Sequence, residues 1–249
     1  MPAFSDPSDA DRAVQWPLPP TGWLLAPSSG GADGGLGSGA QTGAQTGLAA
    51  PGRRLRLGVM ASGNGSNFEA LVQACAQPWL PAQVVNLVVN NPGCGACERA
   101  ERLGIGVTCL NHRTFASRDS LDGALVEHFE AAAVDLVVMA GWMRIVTSRL
   151  IGAYPARLVN IHPSLLPSFR GVDAVGQALA AGVSLSGCTA HLVSEDVDAG
   201  RILAQAAVPV VAGDNHDTLA RRIQAQEHRI LPLAVGLAAE RLGLIQRQP

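Results

Sequence analysis

From Arg53 to Pro163 the chain alternates short apolar runs with stretches of helical spacing, and that alternation fixes the class of fold. LRLGVMA, 55–61, is a brief apolar run that ends in a glycine-rich turn and reads as a buried strand. SNFEALVQAC, 66–75, follows with Phe68, Leu71, Val72 and Cys75 at helical spacing. AQVVNLVVNN, 82–91, reads as a second strand, 94–103 as a helix and Gly106 to Leu110 as a third strand. Ser117 to Ala133 is a long amphipathic helix with Leu121, Leu125 and Phe129 on one face. VDLVVMAGW, 134–142, is nearly all apolar and reads as the fourth strand, and RLVNIHP, 157–163, as the fifth. Strand–helix–strand repetition of this kind implies an α/β fold, a mostly parallel doubly wound, Rossmann-like sheet covered by helices on both faces.

The last third departs from the pattern. LSGCTAHLVS, 185–194, and RILAQAAVPVV, 201–211, are strand-like runs joined by EDVDAG, with no room for a crossover helix, so an antiparallel pair is expected. Asn215 to about Leu237 reads as a C-terminal helix, which Pro232 is expected to break or bend.

Composition narrows the function. The chain has 249 residues, 47% of them hydrophobic, enough for one domain with a sizeable core. Residues 1–52 stand apart: seventeen of them are Gly or Pro, and the tract contains the small repeat QTGAQTG. Such a sequence buries too little apolar surface to offset its ordering entropy, so a disordered low-complexity extension over 1–52 and a folded domain over 53–249 are expected. The net charge of −2 offers no bulk attraction for nucleic acid. All 18 basic residues are arginine, which excludes a catalytic lysine, a P-loop lysine and Schiff-base chemistry. The five cysteines, odd in number and scattered, argue against a disulfide framework and for a reducing compartment. Cys94-Gly-Ala-Cys97 is a lone CxxC without the second ligand pair that a zinc site needs. No run reaches the ~18 apolar residues of a membrane span, and the acidic N-terminus fits neither a secretory signal nor a transit peptide. A cytoplasmic protein acting on small molecules, as monomer or homodimer, is the expectation.

Ligands of open parallel sheets bind beyond the carboxyl ends of the strands, and three polar constellations fall there. SGNGSN, Ser62 to Asn67, is a glycine-rich strand-to-helix turn. Its glycines would let the backbone approach an anion, and the helix behind it offers free N–H groups. With Phe68 in place of a third glycine it suits a monophosphate better than a dinucleotide, or it is simply a turn capped by Ser66 or Asn67. Asn160 and His162 lie two apart on one strand and so share a face. There an amide can donate to an oxyanion while an imidazole moves a proton. The SEDVDAG loop brings Glu195, Asp196 and Asp198, any of which can support His162; spacing does not choose among them. No serine or cysteine sits in a nucleophile-elbow context, so a covalent triad is not expected, and Ser164 reads as turn chemistry. His191 lies in a strand and reads as structural; His112, His128 and His216 read as surface residues. Gln224 and Glu227 share a helix face by i, i+3 spacing.

The stretches VMASGNGSN, VVMAGWMRIV, LVNIHPSLLPSF, DVDAG and IQAQEHRILP, in that order from about Leu55 to about Gly236, resemble the phosphoribosylglycinamide formyltransferases, folate-dependent enzymes of purine synthesis. The resemblance implies a formyltransferase fold and transfer of the formyl group of 10-formyltetrahydrofolate to the amine of glycinamide ribonucleotide, by direct attack through a tetrahedral intermediate. It implies Asn160, His162 and Asp198 as the catalytic trio, with Asp198 raising the histidine pKa and ordering a proton-shuttling water. Gly65, Ser66 and Asn67 would bind the substrate phosphate, and Gln224 and Glu227 the ribonucleotide. Arg118, Met143, Arg144, Ile145 and Val146, with Asn160, would hold the folate co-substrate; no metal is implied. Arg170-Gly171-Val172-Asp173 and Arg201 depart from the family's usual residues, and the Arg-Gly pair is shared with methionyl-tRNA formyltransferases. Those enzymes need a C-terminal tRNA-binding domain, for which few residues remain here. A formyltetrahydrofolate deformylase, with water as acceptor, is the alternative; its N-terminal regulatory domain has no equivalent in the glycine-rich tract. A binding module that has lost activity would not need the intact Asn160, His162 and Asp198.

Overall fold

The computed structural model describes residues 53–245; the expected extension over 1–52 lies outside them. Seven strands form one sheet: β1 (Leu55–Ala61), β2 (Ala82–Val89), β3 (Val107–Cys109), β4 (Leu136–Met139), β5 (Leu158–His162), β6 (Leu185–Leu192) and β7 (Ile202–Pro209). Their spatial order is β3-β2-β1-β4-β5-β6-β7. Pairing is parallel from β3 to β5 and antiparallel from β5 through β6 to β7; the sequence pattern implies the parallel part and the antiparallel β6–β7 pair, and the antiparallel β5–β6 pairing is added by the structure. Six α-helices complete the fold: α1 (Ser66–Cys75), α2 (Gly95–Leu103), α3 (Arg118–Ala131), α4 (Ser148–Ala153), α5 (Ala174–Ala180) and α6 (His216–Arg241). Among the described residues no helix is long and apolar enough to cross a membrane.

The central strands are buried on both faces because each face has its own core. On one, Phe68 and Leu71 of α1, Ala96 and Ala100 of α2 and the apolar stripe of α6 cover Leu57, Val59, Val138, Val159 and Ile161. On the other, Leu121, Leu125 and Phe129 of α3 and Leu150 of α4 cover Met60, Val137, Met139 and Leu158. Phe129 meets Tyr154 edge-on, with centroids 6.3 Å apart and planes at 89°. Such a pair adds ~0.5–1.5 kcal/mol beyond the area it buries.

Two expectations fail here. Of the two effects expected of Pro232, a break does not occur: α6 runs continuously from His216 to Arg241, beyond the expected end near Leu237. Proline costs one i→i−4 bond, but Leu231, Ala234, Val235, Ala238 and Ala239 lie buried around it and hold the helix to the sheet. The turn before α1 is not capped by Ser66 or Asn67 either. Gly65 occupies the cap position at φ 79°, and no side chain caps the helix.

Candidate active site

The strand register assembles the site. Met60 pairs with Met139, and Met139 with Asn160. Two residues onward, Ser62, Gly141 and His162 therefore emerge at the carboxyl edge of three adjacent strands, where ligands of such sheets bind. The Ser62 N–H donates to the Gly141 carbonyl at 3.0 Å, and the Met143 N–H to the Ser62 hydroxyl at 2.8 Å.

Antiparallel pairing brings a fourth strand to this edge. Asn160 lies opposite His191, and His162 opposite Thr189. Hairpin β6–β7 then returns Asp198 over them. Its carboxylate is 3.3 Å from His162 Nδ1 and 3.6 Å from His191 Nε2, and it accepts the Gly171 N–H at 2.8 Å. Asp198 sits in the left-handed region at φ 51°, and its side chain is 9% exposed, whereas Glu195 and Asp196 are exposed. Gly200 makes this hairpin possible, since a Cβ there would lie 1.7 Å from the Leu192 carbonyl oxygen. Burial alone would push the Asp198 carboxyl up; His191, the Gly171 N–H and His162 together outweigh it and hold the group below the ordinary aspartate value.

Both histidine rings are held by polar partners. His162 Nε2 lies 2.8 Å from the Phe169 carbonyl while Nδ1 faces the Asp198 carboxylate, so both ring nitrogens face acceptors. His191 differs. Its Nδ1 lies 2.9 Å from the Leu192 carbonyl, and its Nε2 stands between the Asn160 amide nitrogen at 3.2 Å and the Asp198 carboxylate at 3.6 Å. The Asn160 amide is thereby held beside His191, and an N–H remains for a ligand. Sequence reading took His191 as structural; its place opposite Asn160 depends on a register that sequence does not state. His112 and His128 also depart from expectation, being half-buried, with the His112 ring 3.0 Å from the Asn90 carbonyl.

The SGNGSN turn packs against the start of α2. The Ala96 N–H donates to the Gly63 carbonyl at 3.0 Å, and a Cβ on Gly65 would lie 2.7 Å from Ala96 Cα. Ser66 is half-buried, and Asn67 is buried with its amide donating to Glu227 Oε2 at 2.8 Å. Burial pushes the Glu227 carboxyl up, and the Asn67 bond offsets part of that. The Oδ1 of Asn67 is buried without a partner. Gly65→Ala is therefore expected to cost ~1–2 kcal/mol for the left-handed backbone alone. Thermal unfolding should show a Tm about 2–8 °C lower; an unchanged Tm would mean that the turn relaxes freely.

The remaining candidates are less convergent. Gln224 is exposed beside His216, Asp217, Ala220 and Arg221, while Glu227 is buried, so the two do not present one common surface. Arg118 is exposed at the start of α3, and no hydrogen bond ties it to the other site residues. Met143 and Ile145 are 84% and 53% exposed, Val146 is buried, and Arg144 is half-buried with its Nε unpartnered. This segment is pinned at both ends, by Ser62 at Met143 and by buried Asp122, whose carboxylate accepts the Thr147 N–H. Asp122 escaped sequence reading because it sits within an ordinary amphipathic helix.

A parallel sheet with an amide, an imidazole and a carboxylate at its carboxyl edge defines a class, and comparison with known proteins gives that class a family. The formyl transferase family model matches residues 55–235, and the chain belongs to that family. It is 38% identical over 192 residues to phosphoribosylglycinamide formyltransferase of Bacillus subtilis, an alignment covering 77% of this chain and 97% of that protein. It is 41% identical over 194 residues to the trifunctional purine biosynthetic protein adenosine-3 of Bos taurus, where it spans 19% of the relative's length and 77% of its own. The solved glycinamide ribonucleotide transformylase 1 of Symbiobacterium toebii superposes with a TM-score of 0.74 at 42% identity, over 80% of this chain and 93% of that one.

Proposed function

We propose that the chain transfers the formyl group of 10-formyltetrahydrofolate to the amine of glycinamide ribonucleotide. The observation that carries this reading is the convergence of Asn160, His162 and Asp198 at the sheet edge beside a glycine-rich turn. The like-sized relatives named for the same reaction support it. Met143 and Ile145 offer apolar surface to a flat heterocycle, and the unpartnered Arg144 Nε offers it a donor. The backbone N–H groups at the start of α1 suit a phosphate.

In this mechanism the ribonucleotide amine attacks the formyl carbon. The free N–H of Asn160 donates to the oxyanion as it forms, and His162 Nε2 joins it by turning from the Phe169 carbonyl. The Asp198 carboxylate, 3.3 Å from Nδ1, holds the His162 ring in place. A proton then leaves the attacking nitrogen and reaches N10 of the folate. The intermediate collapses to formylated ribonucleotide and tetrahydrofolate. Purified protein given both substrates should release tetrahydrofolate, and release should stop when the ribonucleotide is omitted. Equal release without it would replace this reading with a deformylase.

Glu227 gives a second test. Burial raises its folded pKa above the ordinary glutamate value. Its contribution to stability is therefore full below that value and is lost as pH rises through the folded pKa. Glu227→Gln should thus melt higher than the parent at pH 8, and the gap should close towards pH 4.5. Loss of a charged acceptor should raise KM for the ribonucleotide about tenfold or more. A variant with unchanged KM would remove Glu227 from the substrate site.

A further inference from the structure

The Cys94-Gly95-Ala96-Cys97 motif takes no part in the chemistry above, yet its geometry is specific. Cys94 holds the N-cap position of the nine-residue helix α2, and Cys97 lies in the helix's first turn. The two sulfurs are 4.0 Å apart, and the Cys97 N–H donates to the Cys94 carbonyl at 2.8 Å. A disulfide needs the sulfurs at ~2.05 Å, a shift within reach of side-chain rotation. Both thiols are half-buried and so reachable, whereas Cys75 and Cys188 are buried. Burial, together with the neighbouring Cys94, pushes the Cys97 thiol up, as expected when two thiols share one site. Cys94, at the N-cap of α2 and ahead of Cys97 in the chain, is taken as the attacking sulfur.

The same turn carries the glycine-rich loop. Ala96 lies between the two cysteines, touches Gly65 and donates to the Gly63 carbonyl at 3.0 Å. Arg99, near the next turn, donates through Nε to the Asn64 carbonyl at 2.8 Å and through Nη2 to Asn64 Oδ1 at 2.7 Å. Moving the first turn of α2 therefore moves the loop.

We propose that Cys94 and Cys97 form a reversible intramolecular disulfide which, through Ala96, shifts the Gly63–Asn67 loop and weakens binding of the phosphate-bearing substrate. The coupling rests on the reading of that loop as the phosphate site. The oxidant is a low-molecular-weight disulfide. The Cys94 thiolate attacks one of its sulfurs, forming a mixed disulfide and releasing one thiol. Cys97, deprotonated to water, attacks Cys94 Sγ and expels the second thiol. The protein gives up two electrons and two protons, and the oxidant is reduced to two thiols.

The test equilibrates the full chain in glutathione buffers from fully reduced to fully oxidised, traps free thiols by alkylation and reads intact mass. The parent should lose two alkylation sites on oxidation, and both Cys94→Ser and Cys97→Ser should abolish that loss. KM for glycinamide ribonucleotide should rise about tenfold on oxidation, with kcat within about twofold, and a dithiol reductant should reverse it. Cys94→Ser should be insensitive. A full thiol count at every buffer ratio would overturn the disulfide. A disulfide that leaves KM unchanged would overturn the coupling. Should the reduced parent fail to use the ribonucleotide at all, the functional reading falls, while the thiol count still decides the disulfide.

Discussion

Replacing His162 with alanine is expected to lower kcat by about a hundred- to ten-thousand-fold, the usual contribution of a positioned acid or base. The ring's polar partners are the Phe169 carbonyl and the Asp198 carboxylate, and both lie at the sheet edge rather than within the apolar core clusters. The fold should therefore survive, with far-ultraviolet circular dichroism unchanged. Single-turnover measurement with both substrates separates the chemical step from binding. A variant that keeps most of its rate would make His162 a structural residue. A His162→Gln variant guards against local collapse: it can still donate one hydrogen bond but carries no charge, and its rate should stay low.

Asn160→Ala carries the second large effect. Removing one preorganised oxyanion donor costs about a hundred- to a thousand-fold in kcat, or roughly 3–4 kcal/mol. The geometry sharpens the expectation, because His191 Nε2 holds the amide nitrogen of Asn160 at 3.2 Å and so aims it. Asn160→Asp has similar shape but presents two acceptors and no donor, and should be no better than alanine. KM for both substrates should change far less than kcat, since the oxyanion exists only along the reaction path. Equal losses in binding and turnover would place Asn160 in ground-state recognition instead.

Much of this arrangement is legible in the sequence. Apolar runs such as LVVM and LVNIH, bounded by turn residues and alternating with helical stretches, read as central strands, and the antiparallel β6–β7 pair follows from the short EDVDAG link. Strands come out shorter than their apolar runs: 134–142 narrows to Leu136–Met139. Helices α4 and α5 go unseen, since six or seven residues give too little periodicity to register. Asn160 and His162 announce themselves as polar residues in an apolar strand. The placing of Asp198 against His162, rather than Glu195 or Asp196, depends on a left-handed residue in a hairpin closed by Gly200. His191 depends on cross-strand register, which hydrophobic patterning leaves open on the ligand side. Pro232 shows tertiary burial overriding a local preference.

The central claim is direct transfer to the ribonucleotide amine. Its plainest test supplies 10-formyltetrahydrofolate labelled in the formyl carbon together with glycinamide ribonucleotide, and counts where the label goes. Direct transfer puts the label in formylated ribonucleotide, matching the tetrahydrofolate released, with free formate at background. Label appearing as formate at the same rate, with or without the ribonucleotide, would contradict it.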